Sequence, residues 1–311
     1  MSRRYEPNGL DHLPGPEHPR NPTTERRSNP FSEDDHARGS GGESPEPHRD
    51  NPIASPNRHR SNEPRTPYRD RDRTYSLRSS EIQTLKEIGT FRAVDSEALA
   101  EIGYSGNHDR MDQDLKNLAR QSLISRRGIQ GAQSERVQIL VLTKAGKRFL
   151  AKHKLMPKDR PIYHGLVKPK EVLHGASLYR LYHKAARQIE RDGGIVRKVA
   201  LDYELKKQIN RELVRLGADR HTQDKKSEIA QAHGIRVVNG RVVVPDLQIE
   251  YENADGHLAR VNLELATKHY RPGHLQAKAQ AGFTLYAAGQ DSDRLRRVLN
   301  DREITAEILS L

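Results

Sequence analysis

The spacing of apolar residues changes at about residue 77. Before that point apolar residues are sparse and show no period, and 12 of the 17 prolines lie there, which is unsuited to regular structure. Such a stretch buries too little apolar surface to offset the entropy lost on ordering. Residues 1–76 are therefore predicted to be a disordered tail rich in proline and arginine.

Helical spacing begins after this tail. Apolar residues recur every three to four positions in a first helix from Ser79, in a short second helix after Asp95, and in a third helix from about His108. Two extended runs follow, at residues 122–129 and 136–142, and a last helix begins at Thr143. Three helices, a β-hairpin and a trailing helix predict a winged helix-turn-helix over residues 77–154.

The segments DLKNLARQSLISRR and LTKAGKRFL resemble many winged-helix transcription regulators. In such modules the third helix enters the major groove and the wing touches the backbone or minor groove. Arginine can pair with guanine, and asparagine or glutamine with adenine. The candidate DNA contacts are Asn107, His108, Arg110, Gln113 and Lys116 on the third helix, and Arg126, Arg127 and Arg136 on the wing.

Three carboxylates on the same helix weigh against contact with phosphate: Asp109, Asp112 and Asp114. The alternative interpretation is a winged helix that docks proteins or dimerises.

The second half alternates helical and extended patterns, which predicts an α/β layer around a small mixed sheet over residues 174–311. A linker is expected at 155–173. The predicted elements are a helix at 174–190, a strand at 195–201, helices at 202–216 and 225–232, a hairpin across Asn239-Gly240, strands at 247–251 and 261–265, and helices at 274–288 and 291–300.

Two acids lie at informative places in this half. Asp246 follows a proline at the start of a strand, and Glu264 lies inside an otherwise apolar strand. A carboxylate there is unfavourable without a partner. If the two strands pair, both acids could bind one Mg²⁺, which prefers oxygen ligands. The alternative is structural: Asp246 caps its strand and Glu264 pairs with Arg260 or Lys278.

Pro245-Asp246, a hairpin and then Glu264 resemble the core of the PD-(D/E)XK nuclease superfamily. Glu264-Leu265-Ala266-Thr267, followed by Lys278 and Tyr286 on a predicted helix, is similar to the replication-relaxation family of plasmid and mobile-element proteins. That family joins a winged helix to a nuclease-like domain.

The resemblance implies catalytic roles for Asp246, Glu264 and Lys278, with the two acids as ligands of Mg²⁺. It implies a further acid, Glu204, on the preceding helix. Ala266 stands where the superfamily has its lysine, so Lys278 is the candidate lysine and Lys268 the second. The expected fold is α+β, with an N-terminal winged helix-turn-helix followed by a small α/β restriction-endonuclease-like domain, after the disordered tail.

The charge of the chain bears on its partner. The net charge is +12, whereas the first 76 residues hold 13 arginines against 13 acids, so the excess belongs to the predicted folded part. A basic folded part favours a polyanionic partner. The absence of cysteine excludes disulfides and cysteine-ligated zinc.

Other classes are disfavoured. Neither a phosphate-binding loop nor a dinucleotide motif is present, and four phenylalanines with no tryptophan argue against a stacking platform for single strands. Without an apolar run of about 18 residues or a signal sequence, we expect no membrane partner and a cytoplasmic location.

The charge and the winged-helix pattern predict a DNA-binding protein, and the resemblance to the replication-relaxation family implies a role in replication or transfer of a plasmid or mobile element, or in their control. Its expected partners are double-stranded DNA, a second copy in a homodimer, and replication or transfer proteins. The alternatives are a Mg²⁺-dependent endonuclease or nickase and a protein-docking assembly factor.

Overall fold

A computed structural model describes residues 63–71, 73–130, 136–158, 160–165, 169–217, 222–267, 270–301 and 308–311. These residues form a mixed α+β fold. The disorder predicted for residues 1–62 lies outside the described residues.

The last part of the predicted tail is folded, which corrects the boundary at residue 76. Strands β1 (Thr66–Asp70) and β2 (Arg73–Leu77) pair as an antiparallel hairpin. Tyr75 and Leu77 are buried, and the Tyr68 ring meets Phe149 edge-on with centroids 5.4 Å apart. The hairpin was missed because the charged run from Arg69 to Arg73 is typical of a solvated linker.

The next elements fall within two residues of their predicted positions. They are α1 (Ser79–Phe91), β3 (Val94–Asp95), α2 (Ser96–Ala98, continued by a π-helical turn at Leu99–Gly103), α3 (His108–Arg120), β4 (Ile124–Gln130), β5 (Arg136–Leu142) and α4 (Lys144–Lys152). Strands β3, β5 and β4 form an antiparallel sheet in that order. Only β3, two residues long, had no counterpart in the sequence pattern.

A five-stranded sheet organises the second half. The elements are α5 (Pro169–Arg191), β6 (Ile195–Leu201), α6 (Asp202–Arg215), α7 (Gln223–Ala232), β7 (Arg236–Val238), β8 (Arg241–Val243), β9 (Leu247–Glu252), β10 (Leu258–Ala266), α8 (Pro272–Gln280), β11 (Thr284–Ala287), α9 (Gly289–Asp301) and β12 (Ile308–Ser310). The order in the sheet is β12-β11-β10-β9-β6. Pairing is antiparallel from β6 to β10 and parallel from β10 to β12.

Two predicted elements need correction. The helix expected over residues 274–288 ends at Gln280, because Gly282 adopts a positive φ of 79° and the chain turns into β11. Tyr286 therefore lies on a strand beside β10 rather than on a helix. Helix α5 begins at Pro169, inside the predicted linker, since proline is well tolerated in the first turn.

Helix α5 joins the two halves into one core. Tyr179 is fully buried, packs edge-on against Phe91 at 5.4 Å, and donates a 2.9 Å hydrogen bond to Glu87. Apolar residues of α5 also pack with those of β6, β9 and β10 in the same cluster. The segment before α5 is fixed as well, since Tyr163 N–H donates to Gly89 O and Gly165 N–H to Leu142 O, both at 2.9 Å.

Across the described ranges, every helix is too short or too polar to span a membrane.

Candidate functional site

Asp246 and Glu264 face each other at the end of the β9–β10 ladder. Leu247 is opposite Leu263 in this antiparallel pair, so the next step along both strands brings the two acids together. Each carboxylate accepts a hydrogen bond from the other strand. Asp246 N–H donates to Glu264 Oε2 at 3.1 Å, and Leu265 N–H donates to Asp246 Oδ2 at 3.0 Å.

Lys278 brings the third predicted group to the same place. Its Nζ lies 2.7 Å from Glu264 Oε1 and donates to Val244 O at 2.7 Å. The Glu264 side chain is only 1% exposed, so this ion pair lies largely outside bulk solvent. The second lysine candidate, Lys268, lies outside the described residues.

Two further side chains complete what we call the acid–lysine centre: Asp246, Glu264, Lys278, His174 and Tyr270. His174 Nε2 lies 3.4 Å from Asp246 Oδ1. The Tyr270 hydroxyl donates to Glu264 Oε1. Neither residue was a candidate in the sequence, because only tertiary packing brings α5 and the β10–α8 loop to the acids.

Glu204 lies on α6, the helix that follows β6. It is buried in α6, where its charge contributes to the raised pKa of Tyr163 and Tyr203, after the larger effect of burial. Asp202, two residues earlier, donates its N–H to Asp246 O at 3.0 Å. The start of α6 is therefore hydrogen-bonded to the strand end that carries Asp246.

Burial and neighbouring charge set the protonation of the centre. Burial, and then the charge of Asp246, raise the pKa of Glu264 against the lowering effect of Lys278. For Asp246, burial acts upward, but the hydrogen bond and charge of His174 outweigh it and lower the pKa. For His174, burial acts downward, but Asp246 outweighs it and raises the pKa. Opposite charges therefore neutralise each other inside the fold.

The carboxylates of the centre are suitable ligands for Mg²⁺, but in this structure their oxygens are already engaged by protein groups. Mg²⁺ takes carboxylate oxygens and keeps several waters. Here each carboxylate oxygen already has a protein group beside it, and a metal would compete with Lys278 for Glu264. Within the described residues, no group of three or more His, Cys, Asp or Glu side chains is arranged to hold an ion.

A second candidate site lies on α3 and the β4–β5 hairpin. Met111, Leu115 and Leu118 bury one side of α3, and the opposite side faces solvent. Six of the predicted DNA contacts are exposed, one of which, Asn107, caps the helix. The other five form what we call the α3–hairpin surface: His108, Gln113, Lys116, Arg127 and Arg136.

The other predicted contacts have structural roles. Asn107 caps α3, since its side-chain oxygen accepts the Arg110 N–H at 3.0 Å. Arg126 pairs with Asp112 at 3.4 Å. Arg110 is a correction: it is only 8% exposed, because its position lies on the side of α3 shared with Met111 and Asp114.

Most acids near this surface are neutralised. Asp114, expected to repel phosphate, is fully buried and bonded to Arg78, Ser80 and Tyr104. Glu81 is also fully buried and pairs with Arg65. Asp109 remains exposed. The solvent-facing charge of the α3–hairpin surface is therefore mainly positive.

No family model matches the chain, and no curated protein matches it at a significant level.

Proposed function

We propose that this protein binds double-stranded DNA through the α3–hairpin surface, as a replication-relaxation-like protein. Its role would be in replication or transfer of a plasmid or mobile element, or in their control. In this proposal residues 77–154 act as a winged helix, and the C-terminal half is a nuclease-like domain. The carboxylates of its acid–lysine centre are occupied by internal ion pairs and hydrogen bonds.

The separation of charge in the first half carries the proposal. Asp114 and Glu81 are turned inward and satisfied by internal donors, whereas Lys116, Arg127 and Arg136 face solvent. Exposed cations beside an amide side chain supply phosphate contacts and base-edge hydrogen bonds. The 3.4 Å pair between Arg126 and Asp112 fixes the hairpin against α3, so both parts can meet one duplex.

The test is fluorescence anisotropy with short labelled duplexes, comparing wild type with the double variant Lys116→Gln/Arg127→Gln. We expect affinity to fall for every sequence, and the salt slope to become shallower by about 0.9 per phosphate contact removed. The matched control is Arg211→Gln/Arg215→Gln, which removes the same charge from exposed positions of α6.

Unchanged binding in the double variant, or an equal loss in the control, would place the DNA contact elsewhere. If wild type binds no duplex even at low salt, the protein-docking interpretation of the winged helix stands instead.

The second candidate function is a Mg²⁺-dependent endonuclease or nickase. The proximity of Asp246, Glu264 and Lys278 favours it, since Asp246 and Glu264 would hold the ion and Lys278 would contact the phosphate. A bound divalent ion would polarise the phosphate and lower the pKa of water.

Supercoiled-plasmid cleavage with Mg²⁺ or Mn²⁺ separates the two functions. Nicking that disappears in both Asp246→Asn and Glu264→Gln would make the centre catalytic. Retained duplex binding without cleavage in any sample supports a DNA-binding protein whose acid–lysine centre is not catalytic.

A further inference from the structure

A cleft with a volume of about 810 Å³ opens between α4, residues 154–158 and 160–164, and α6. Its lining includes Lys147, Lys154, Lys158 and Lys207, together with Tyr163 and Tyr203. We call it the lysine cleft. It belongs neither to the α3–hairpin surface nor to the acid–lysine centre.

Four lysines line the cleft. Among the described residues that line the cleft there is no aspartate or glutamate. Within the same described residues, none of the four lysines forms an ion pair, although ion pairs are common on other surfaces of this protein. Like charges gathered in one concave site repel each other, and a bound anion would relieve that repulsion.

Two tyrosines supply an aromatic wall here, although the few phenylalanines and the absence of tryptophan argued against a stacking platform. The Tyr163 and Tyr203 rings meet edge-on with centroids 4.4 Å apart. The Arg92 guanidinium lies 5.2 Å from the first ring centroid and 4.7 Å from the second, which holds the pair in place. Burial first, and the charge of Glu204 after it, raise the pKa of Tyr163, so its phenol keeps its proton and can donate a hydrogen bond.

The floor of the cleft is fixed. Met156 is buried, and Tyr163 N–H donates to Gly89 O at 2.9 Å. Helix α6 supplies Tyr203 and Lys207, and it begins at Asp202, which is bonded to Asp246 O. The lysine cleft is therefore preformed and is connected by α6 to the strand end that carries the acid–lysine centre.

We propose that the lysine cleft binds a single strand of nucleic acid, with phosphates on the lysines and a base against Tyr163 and Tyr203. Bases stack on aromatic rings in such sites while cations follow the backbone. In this proposal the cleft takes a single strand, whereas the exposed α3–hairpin surface takes a duplex. This deepens the proposed function by adding a second, distinct DNA contact, and it can hold even if duplex binding fails.

The test measures anisotropy of a labelled oligo-dT of about 12 nucleotides, within the range of roughly 4–16 occupied by single-strand sites. The triple variant Lys154→Gln/Lys158→Gln/Lys207→Gln should bind more weakly, with a salt slope shallower by about 2 for three lost contacts. Tyr163→Leu should weaken binding about tenfold, whereas Tyr163→Phe, which keeps the ring, should bind within about threefold of wild type.

The matched control is Arg211→Gln/Arg215→Gln/Arg294→Gln, which removes equal charge at exposed positions outside the cleft. The proposal is overturned if the cleft variant binds oligo-dT as wild type does, or if the control loses as much affinity. The same proteins are titrated with duplex. If the cleft variant loses single-strand binding but keeps duplex binding, the single-strand contact is assigned to the lysine cleft. If wild type binds duplex but no oligo-dT, only the cleft proposal is rejected.

Discussion

The ion pair between Lys278 and Glu264 offers a measurable prediction about the acid–lysine centre. Replacing Lys278 with methionine keeps most of the side-chain volume and removes the charge. Glu264 is 1% exposed, so its carboxylate would remain buried beside Asp246 without the cation that lies 2.7 Å away. Removing one partner of such a pair typically destabilises a fold by about 3–5 kcal/mol.

Protonation of Glu264 limits this loss. Its ordinary pKa is 4.5, and one pH unit corresponds to about 1.36 kcal/mol. Because the pKa of Glu264 is raised in the fold, neutralising the carboxyl group costs at most about 3.4 kcal/mol at pH 7 and at most about 0.7 kcal/mol at pH 5. We expect Lys278→Met to lower the free energy of unfolding by about 2–3 kcal/mol at pH 7 and by less than about 1 kcal/mol at pH 5.

Urea denaturation at both pH values is the assay, with the slope m as a check that the transition is unchanged. The double variant Lys278→Met/Glu264→Gln should recover at least about 2 kcal/mol at pH 7, because no buried charge remains. The matched control is Lys225→Met, whose partner Glu228 is exposed, and it should change stability by less than about 0.5 kcal/mol.

A loss below about 1 kcal/mol at pH 7, or an equal loss at both pH values, would refute the reasoning. Either result would mean that Lys278 does not hold a buried charged carboxylate at Glu264.

Three further predictions concern packing and pH. Gly146→Ala should lower the free energy of unfolding by more than about 2 kcal/mol, since the new Cβ would collide with Leu123 O, whereas Gly273→Ala, with open space around it, should be nearly neutral in the same urea titration. Deleting residues 1–78 should lower the thermal midpoint by several degrees or more relative to a chain that begins at residue 63, because the β1–β2 hairpin covers apolar core and because Arg65 and Arg78, the partners of the buried Glu81 and Asp114, are lost. The raised pKa of His174 stabilises the fold below its ordinary value of 6.5, and this contribution is lost as pH rises through the raised value. His174→Gln should therefore flatten the stability profile as pH rises above the ordinary pKa of about 6.5, and an unchanged profile would contradict the pairing.

The sequence was most informative where periodicity was strong. The period of two in β9 and β10 gave the hairpin, and its register brings Asp246 and Glu264 opposite each other. The helical spacing of Met111, Leu115 and Leu118 likewise gave the buried side of α3.

Tertiary contacts explain what the sequence did not reveal. Strand β11 is four residues long and follows a helix closely, so its apolar residues extended the helical pattern. Arg110 lies at the edge of the buried side of α3, where periodicity alone does not decide exposure. His174 meets Asp246 only because α5 packs across the sheet.

The most direct test of duplex binding is the salt dependence of wild-type affinity for a DNA duplex. The three exposed cations of the α3–hairpin surface predict a slope of log K against log salt of about −3 or steeper, at about −0.9 per phosphate contact. A measurable affinity at low salt with that slope supports the proposed function. No binding at low salt, or an affinity independent of salt, would contradict it.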